Sequence, residues 1–260
     1  MGKRQKNNWS REELILAFNL YLKIPFGKIS YRTPEVIYLA ELIGRSANAA
    51  AIRLANFASV DPYHQSRGVK GMDGGIKQVQ PIWDEFFHNQ EALVFLSEEI
   101  LAEKQKTTIE QKYQKELLEI NDLVGETKIR AVKTRVNQCV FRQMVMVNYS
   151  AKCAITGIDI PELLFASHIV PWSQNEKERL NPENGICLSA LYDKAFDKGL
   201  IGINIDMKII LAPKLKNYST KDYYQQQFKS VEGQTLTAPT KYHPKQEFLE
   251  FHLDTIFDKS

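Results

Sequence analysis

A chain of 260 residues, 43% hydrophobic and 25% charged, has the ordinary composition of a soluble globular protein and enough apolar residues for one large or two small cores. No apolar run approaches the roughly 18 residues of a membrane span, and the basic, polar start MGKRQKNNWS has no apolar segment behind it, so a cytoplasmic, non-secreted protein is expected. The net charge of +3 discriminates little, while Cys139, Cys153 and Cys187, odd in number and without framework spacing, read as reduced thiols.

Ser10, with Glu13 three residues on, is a capping box that opens a helix over residues 11–22. Pro34 opens a second helix, ended by Gly44, and a third runs from Ser46 to about Ala58. Two helices joined by a Gly turn are the helix-turn-helix pattern, whose second helix enters the major groove in DNA-binding proteins. Arg45, Ser46, Asn48, Arg53 and Asn56 would then be its polar readers. A plain three-helix packing module accounts for the same alanine-rich residues. Residues 61–81 read as a loop, and Pro81 as the start of an amphipathic helix through Phe87.

From Ser97 to about Leu123 the chain is charged and mostly helical. Ile109, Tyr113, Leu117, Ile120 and Val124 form an apolar stripe suited to a short coiled coil or to burial within the chain. Gly125 is the candidate hinge after it. A basic amphipathic helix follows over 127–149, with Val132, Val136, Val140, Met144 and Val147 on one face. Residues 126–152 carry Lys128, Arg130, Lys133, Arg135, Arg142 and Lys152 against the single acid Glu126, a local excess that the whole-chain charge conceals. Strands and turns are then expected at 153–157, 163–166 and 185–188. A short helix comes next at 191–196, then a hairpin across Asp206-Met207, and a last helix around 246–257.

The chemistry concentrates between residues 166 and 199. His168 ends an apolar run, Asn184 precedes a short strand, and Asp193 and Asp197 share one face of a helix at i and i+4. An imidazole titrating near neutrality suits a general base. Two carboxylates on one helix face repel unless a cation lies between them, and hard oxygen ligands favour Mg²⁺ or Mn²⁺ over Zn²⁺. Each piece alone also has a plain reading: a core histidine, a turn, and a solvated acidic face beside Lys194 and Lys198.

Taken together, Gln138–Arg142, Tyr149, Cys153–Gly157, Ala166–Trp172, Asn184-Gly185 and Asp193–Leu200 resemble the HNH nuclease domain of bacterial restriction endonucleases, over about a quarter to a third of the chain. Trp9-Ser10, Gly44–Ser46, Asn56–Ala58 and Ile82–Phe86 resemble the leader domain often joined to it. The resemblance implies an α+β architecture: an N-terminal all-helical helix-turn-helix-like domain (1–96) for DNA recognition, a charged helical connector (97–125), and a C-terminal ββα-metal nuclease domain (126–260). It implies that His168 activates water, that Asn184 pins the hairpin loop, and that Asp193 and Asp197 ligate one divalent cation. Ser167 stands where many relatives have a third ligand. Arg142 and Arg179 would contact phosphate, with Lys128, Arg130, Lys133, Arg135, Arg45, Asn48 and Arg53 as further DNA contacts. Thr156, Ser189 and Tyr192 occupy positions where many relatives have zinc cysteines, so no structural zinc is expected beside Cys153. The implied partner is double-stranded DNA, cut by a homodimer at specific or modified sites. A low-specificity nickase or toxin-like nuclease, and a DNA-binding regulator with a decayed nuclease domain, are the alternatives.

Overall fold

A computed structural model describes residues 8–68, 72–114 and 125–259. It divides into two compact units, Met1–Cys139 and Val140–Ser260. The architecture is mixed, mainly helical with two small antiparallel sheets. Among the described residues no helix is long and apolar enough to cross a membrane.

The first unit is helical. Helix α1 (Arg11–Lys23) begins with the capping box: the Ser10 hydroxyl accepts from the Glu13 N–H, and the Glu13 carboxylate accepts from the Ser10 N–H at 2.7 Å. Helix α2 (Pro34–Leu42) has Pro in its first turn and ends at Gly44, whose φ of +67° is the left-handed conformation a helix stop requires. Helices α3 (Ala47–Val60), α4 (Pro62–Ser66) and α5 (Ile76–Phe86) follow. Phe18 of α1 stacks on Phe57 of α3 at 4.8 Å and lies 5.0 Å from Trp83 of α5. Each such ring removes about 150–250 Å² from water, about 4–6 kcal/mol of transfer free energy at most.

That core explains where α5 departs from expectation. The helix starts at Ile76, so Pro81 sits inside it rather than at its head, and Pro62–Ser66 and Asp73–Gly75 before it are helical rather than loop. Val79, Ile82, Trp83 and Phe86 form its buried face, and burying them outweighs the backbone hydrogen bond that Pro81 removes. The polar side chains of α3 are also used differently. Asn56 is buried and donates to the Met72 carbonyl at 2.6 Å, so it is not an outward reader. Arg53 lies over the Trp9 ring and donates to the Gly75 carbonyl. Arg45 also lies over Trp9 and pairs with Glu13 at 2.7 Å. Ser46 caps the helix, and Asn48 is exposed.

Helix α6 (Gln90–Lys104) ends where the sequence suggests continued helix. Lys106 adopts φ +56°, the Thr107 N–H returns to the Ala102 carbonyl, and Thr108 caps a separate turn, α7 (Ile109–Lys112). Of the apolar stripe, Ile109 and Tyr113 are buried within the first unit, while Leu117, Ile120 and Val124 lie outside the described residues. On α6, Glu98 is 2% exposed between Lys23 (3.0 Å) and Lys112. Burial pushes its carboxyl up, but the two ammonium groups prevail and hold it down at about 2.

Helix α8 (Gly125–Asn148) runs past the unit boundary, with Val132, Val136, Val140 and Met144 buried. In the second unit β1 (Leu164–His168) pairs antiparallel with β2 (Gly185–Ser189), from Leu164 opposite Ser189 to His168 opposite Gly185. Helix α9 (Ala190–Asp197) follows β2 directly and packs on both strands. Strands β3 (Ile201–Ile203) and β4 (Ile209–Leu211) form the second hairpin, whose turn is closed by the Asn204 side chain accepting from the Asp206 and Lys208 N–H groups. Helices α10 (Asp222–Gln227) and α11 (Gln246–Thr255) complete the unit.

Candidate active site

The C-terminal half of α8 is the floor on which the site is built. A Cβ at Gly185 would stand 2.5 Å from Val145 Cγ2 and 2.8 Å from Phe141 Cζ, so β2 lies on α8 more closely than any side chain permits. Across the ladder from Gly185, the His168 imidazole stacks on Phe141 at 3.7 Å and meets Trp172 edge-on at 5.4 Å. Arg142 donates to the carbonyls of Leu164 and Pro161, fixing the start of β1. Both terminal nitrogens of its guanidinium are thus engaged with backbone carbonyls.

Asn184 closes the loop between β1 and β2. Its Oδ1 accepts from the Val170 N–H at 2.8 Å, and its Nδ2 donates to the carbonyls of Val170 and Glu178 at 3.1 and 3.2 Å. The amide is 1% exposed and fully used, as a buried polar group should be. The clamped loop brings the Arg179 carbonyl to 2.9 Å from His168 Nε2. A carbonyl can only accept, so Nε2 carries the proton and Nδ1 keeps its lone pair. Burial pushes the imidazole down to about 4, the charge of Arg179 adding to it and the carbonyl hydrogen bond opposing. His168 is thus neutral at physiological pH. Arg179 itself lies over Trp172, donates to the Trp172 carbonyl at 2.8 Å, and is 3.4 Å from Glu176.

Ser167 is buried, and its hydroxyl donates to Asp193 Oδ1 at 2.5 Å. Asp193 and Asp197 project from α9, and with Ser167, His168, Trp172, Lys194 and Lys198 they line one cavity of about 410 Å³. Burial and the neighbouring Asp193 raise the Asp197 carboxyl above its ordinary range, against the pull of Lys194 and Lys198. A cation between the two carboxylates would relieve that repulsion. Mg²⁺ is characteristically held by one or two carboxylates and keeps several waters, and this oxygen-only donor set fits it or Mn²⁺. Among the described residues no group of three or more His, Cys, Asp or Glu is close enough to hold a metal ion, which leaves Ser167 as the neutral oxygen beside two acids.

The sulfur of Cys153 joins the turn at Thr156 to the end of β2. It accepts from the Thr156 N–H at 3.5 Å and the Ser189 N–H at 3.2 Å, and Ala154 N–H reaches the Cys187 carbonyl at 2.8 Å. Burial acts to raise the Cys153 thiol, but hydrogen bonds from Thr156, Ile155 and the Ser189 side chain outweigh it and lower its pKa.

Of the remaining sequence candidates, Arg130 is exposed and Lys128, Lys133 and Arg135 are half-buried on α8 in the first unit. Two residues around the site were not among the sequence candidates. Phe141 supports the imidazole from 27 residues away. His252 of α11 lines the cavity wall, and a lone histidine beside Phe248 and Leu249 on an apolar helix face carries no local signal.

Residues 153–204, about a fifth of the chain, match the model of the HNH endonuclease family. The matched segment contains β1, β2, α9 and the cavity residues Ser167 to Lys198. A search of curated proteins finds no match to the chain.

Proposed function

With the HNH endonuclease match as premise, we propose that this protein is a restriction-type DNA endonuclease, site-specific or modification-dependent, hydrolysing phosphodiester bonds with one divalent cation. One observation carries the reading: a neutral imidazole with one nitrogen committed and the other bearing a lone pair lies in the same cavity as two carboxylates on one helix turn.

His168 takes a proton from water at Nδ1. The hydroxide oxygen so formed attacks phosphorus as the bond to the departing 3′ oxygen breaks, and that oxygen takes a proton from solvent water, leaving 5′-phosphate and 3′-hydroxyl ends. Asp193 and Asp197, with the Ser167 hydroxyl, would hold Mg²⁺ or Mn²⁺, which when bound supplies positive charge to a phosphate oxygen and the leaving oxygen. Phe141 and the Arg179 carbonyl hold the imidazole plane and tautomer, and Asn184, bonded to the adjacent Glu178 carbonyl, holds the loop that carries it. Lys194 and Lys198 set a positive rim that attracts the phosphodiester. The exposed and half-buried cations of α8, Lys128, Arg130, Lys133 and Arg135, add salt-sensitive affinity for duplex DNA. A single such centre cuts one strand, so double-strand cleavage is assigned to a homodimer.

The test is digestion of matched unmodified, methylated and hydroxymethylated DNA with Mg²⁺ or Mn²⁺, by the wild-type protein and His168→Ala. The variant should cut about 10²–10⁴-fold more slowly. Equal rates would overturn the assigned base. Binding without cutting of any substrate by wild type would overturn the nuclease in favour of a DNA-binding regulator.

A further inference from the structure

His252 lies on α11, 55 residues beyond Asp197 and outside the family match at 153–204. It is 1% exposed, and its ring stacks on Phe196 at a centroid distance of 3.7 Å and an interplanar angle of 2°. Nε2 lies 3.1 Å from the Phe196 carbonyl and so donates to it. Phe196 immediately precedes Asp197 in the last turn of α9, and its carbonyl accepts from the Gly199 N–H at 2.9 Å as well as from His252. Nδ1 is buried without a protein partner, yet the ring lines the cavity that Asp193 and Asp197 enter. A buried unpaired acceptor is destabilising, a cost that a phenylalanine filling the same space would avoid.

We infer that His252 is a positioning residue of the active site, holding the last turn of α9, and with it Asp197, in the orientation that receives the cation. The inference rests on Asp193 and Asp197 being the cation-holding carboxylates. The hydrogen bond and the stack act on the same residue from one ring, so the turn is fixed both along and across the helix. The C-terminal helix is thereby part of the site, although the family match ends more than 40 residues before it.

The experiment uses the full chain and Mn²⁺ alone, with free Mn²⁺ read by electron paramagnetic resonance, beside thermal unfolding and the Mn²⁺ dependence of cleavage. His252→Phe keeps ring and stack but loses the donor, and should raise the Mn²⁺ dissociation constant about tenfold, in the range known for groups that orient metal ligands. Half-saturating Mn²⁺ for cleavage should rise by the same factor, with kcat at saturation within about threefold. His252→Gln, whose amide can donate from the Nε2 position, should bind Mn²⁺ within about threefold of wild type. If His252→Phe fails to fold, His252→Asn against His252→Gln decides, since the shorter amide cannot reach Phe196 and should bind more weakly. Equal Mn²⁺ affinity across the folded variants overturns the role of His252. Absence of Mn²⁺ binding to wild type overturns the carboxylate site beneath it. Graded Mn²⁺ binding with no cleavage by wild type overturns only the nuclease reading.

Discussion

Gly185→Ala is a one-methyl change whose cost can be worked from geometry. The added carbon would sit 2.5 Å from Val145 Cγ2 and 2.8 Å from Phe141 Cζ, where contacts of about 3.5–4.0 Å are normal. Neither neighbour can yield freely. Val145 is fully buried and β-branched, with one favoured helical rotamer, and Phe141 is held between the helix and the His168 ring. Overpacking of this kind costs about 1–3 kcal/mol. Gly185 pairs with His168, so the same displacement lifts the imidazole from Phe141 and slows cleavage. Urea unfolding followed by tryptophan fluorescence measures the stability part. In the double variant Gly185→Ala/Val145→Ala the nearer clash is gone, and the two losses should fall short of additivity by about 1 kcal/mol or more. A Gly185→Ala protein within about 0.5 kcal/mol of wild type, or strict additivity, would refute the claim that close approach selects glycine here.

Further outcomes can be measured independently. Asn184→Ala strands the Val170 N–H and two carbonyls, costing about 2 kcal/mol or more, and hydrogen exchange at Val170 should accelerate; unchanged exchange would reject the clamp. Glu98→Ala leaves Lys23 and Lys112 facing each other without their acid and should destabilise by about 3–5 kcal/mol in thermal unfolding, whereas a neutral result would show that the lysines reach water. His168 and His252 both stand at about 4 against an ordinary 6.5. Below 6.5 the unfolded chain takes protons that the folded chain refuses until about 4. Their stability contribution is therefore complete above 6.5 and lost as pH falls through that window. For the buried His252 the loss is about 3 kcal/mol at most. Midpoints recorded from pH 7 to 4.5 should fall, and less steeply in His252→Phe; parallel slopes would contradict the assignment.

The parts of this fold written in short-range chemistry were legible in the sequence. The Ser10–Glu13 capping box, the Pro34 start, the Gly44 stop and the hairpin around Asp206-Met207 each depend on residues within four positions. Asp193 and Asp197 share a cavity because helical spacing alone puts i and i+4 on one face. What escaped depends on contacts made by packing. Pro81 sits inside a helix because four buried side chains outvote it. Arg45, Arg53 and Arg142 resemble nucleic-acid contacts in sequence, yet their donors go to Glu13, Gly75, Leu164 and Pro161, partners 19 to 32 residues away. Phe141 and His252 approach the site from α8 and α11, and nothing in their neighbours along the chain distinguishes them from core residues.

The Asn184 clamp divides its loop into positions that can change in evolution and positions that cannot. Val170, Glu178 and Arg179 are tied by backbone atoms to Asn184 or His168, so their conformation, rather than their side-chain identity, is what must persist. Between them Ser173, Gln174, Glu176 and Lys177 are exposed. Substitutions or insertions at that tip leave the imidazole where it is. Sequence drift can therefore accumulate within a few residues of the cavity, and a lineage could alter what approaches it from this side while inheriting the same histidine in the same place.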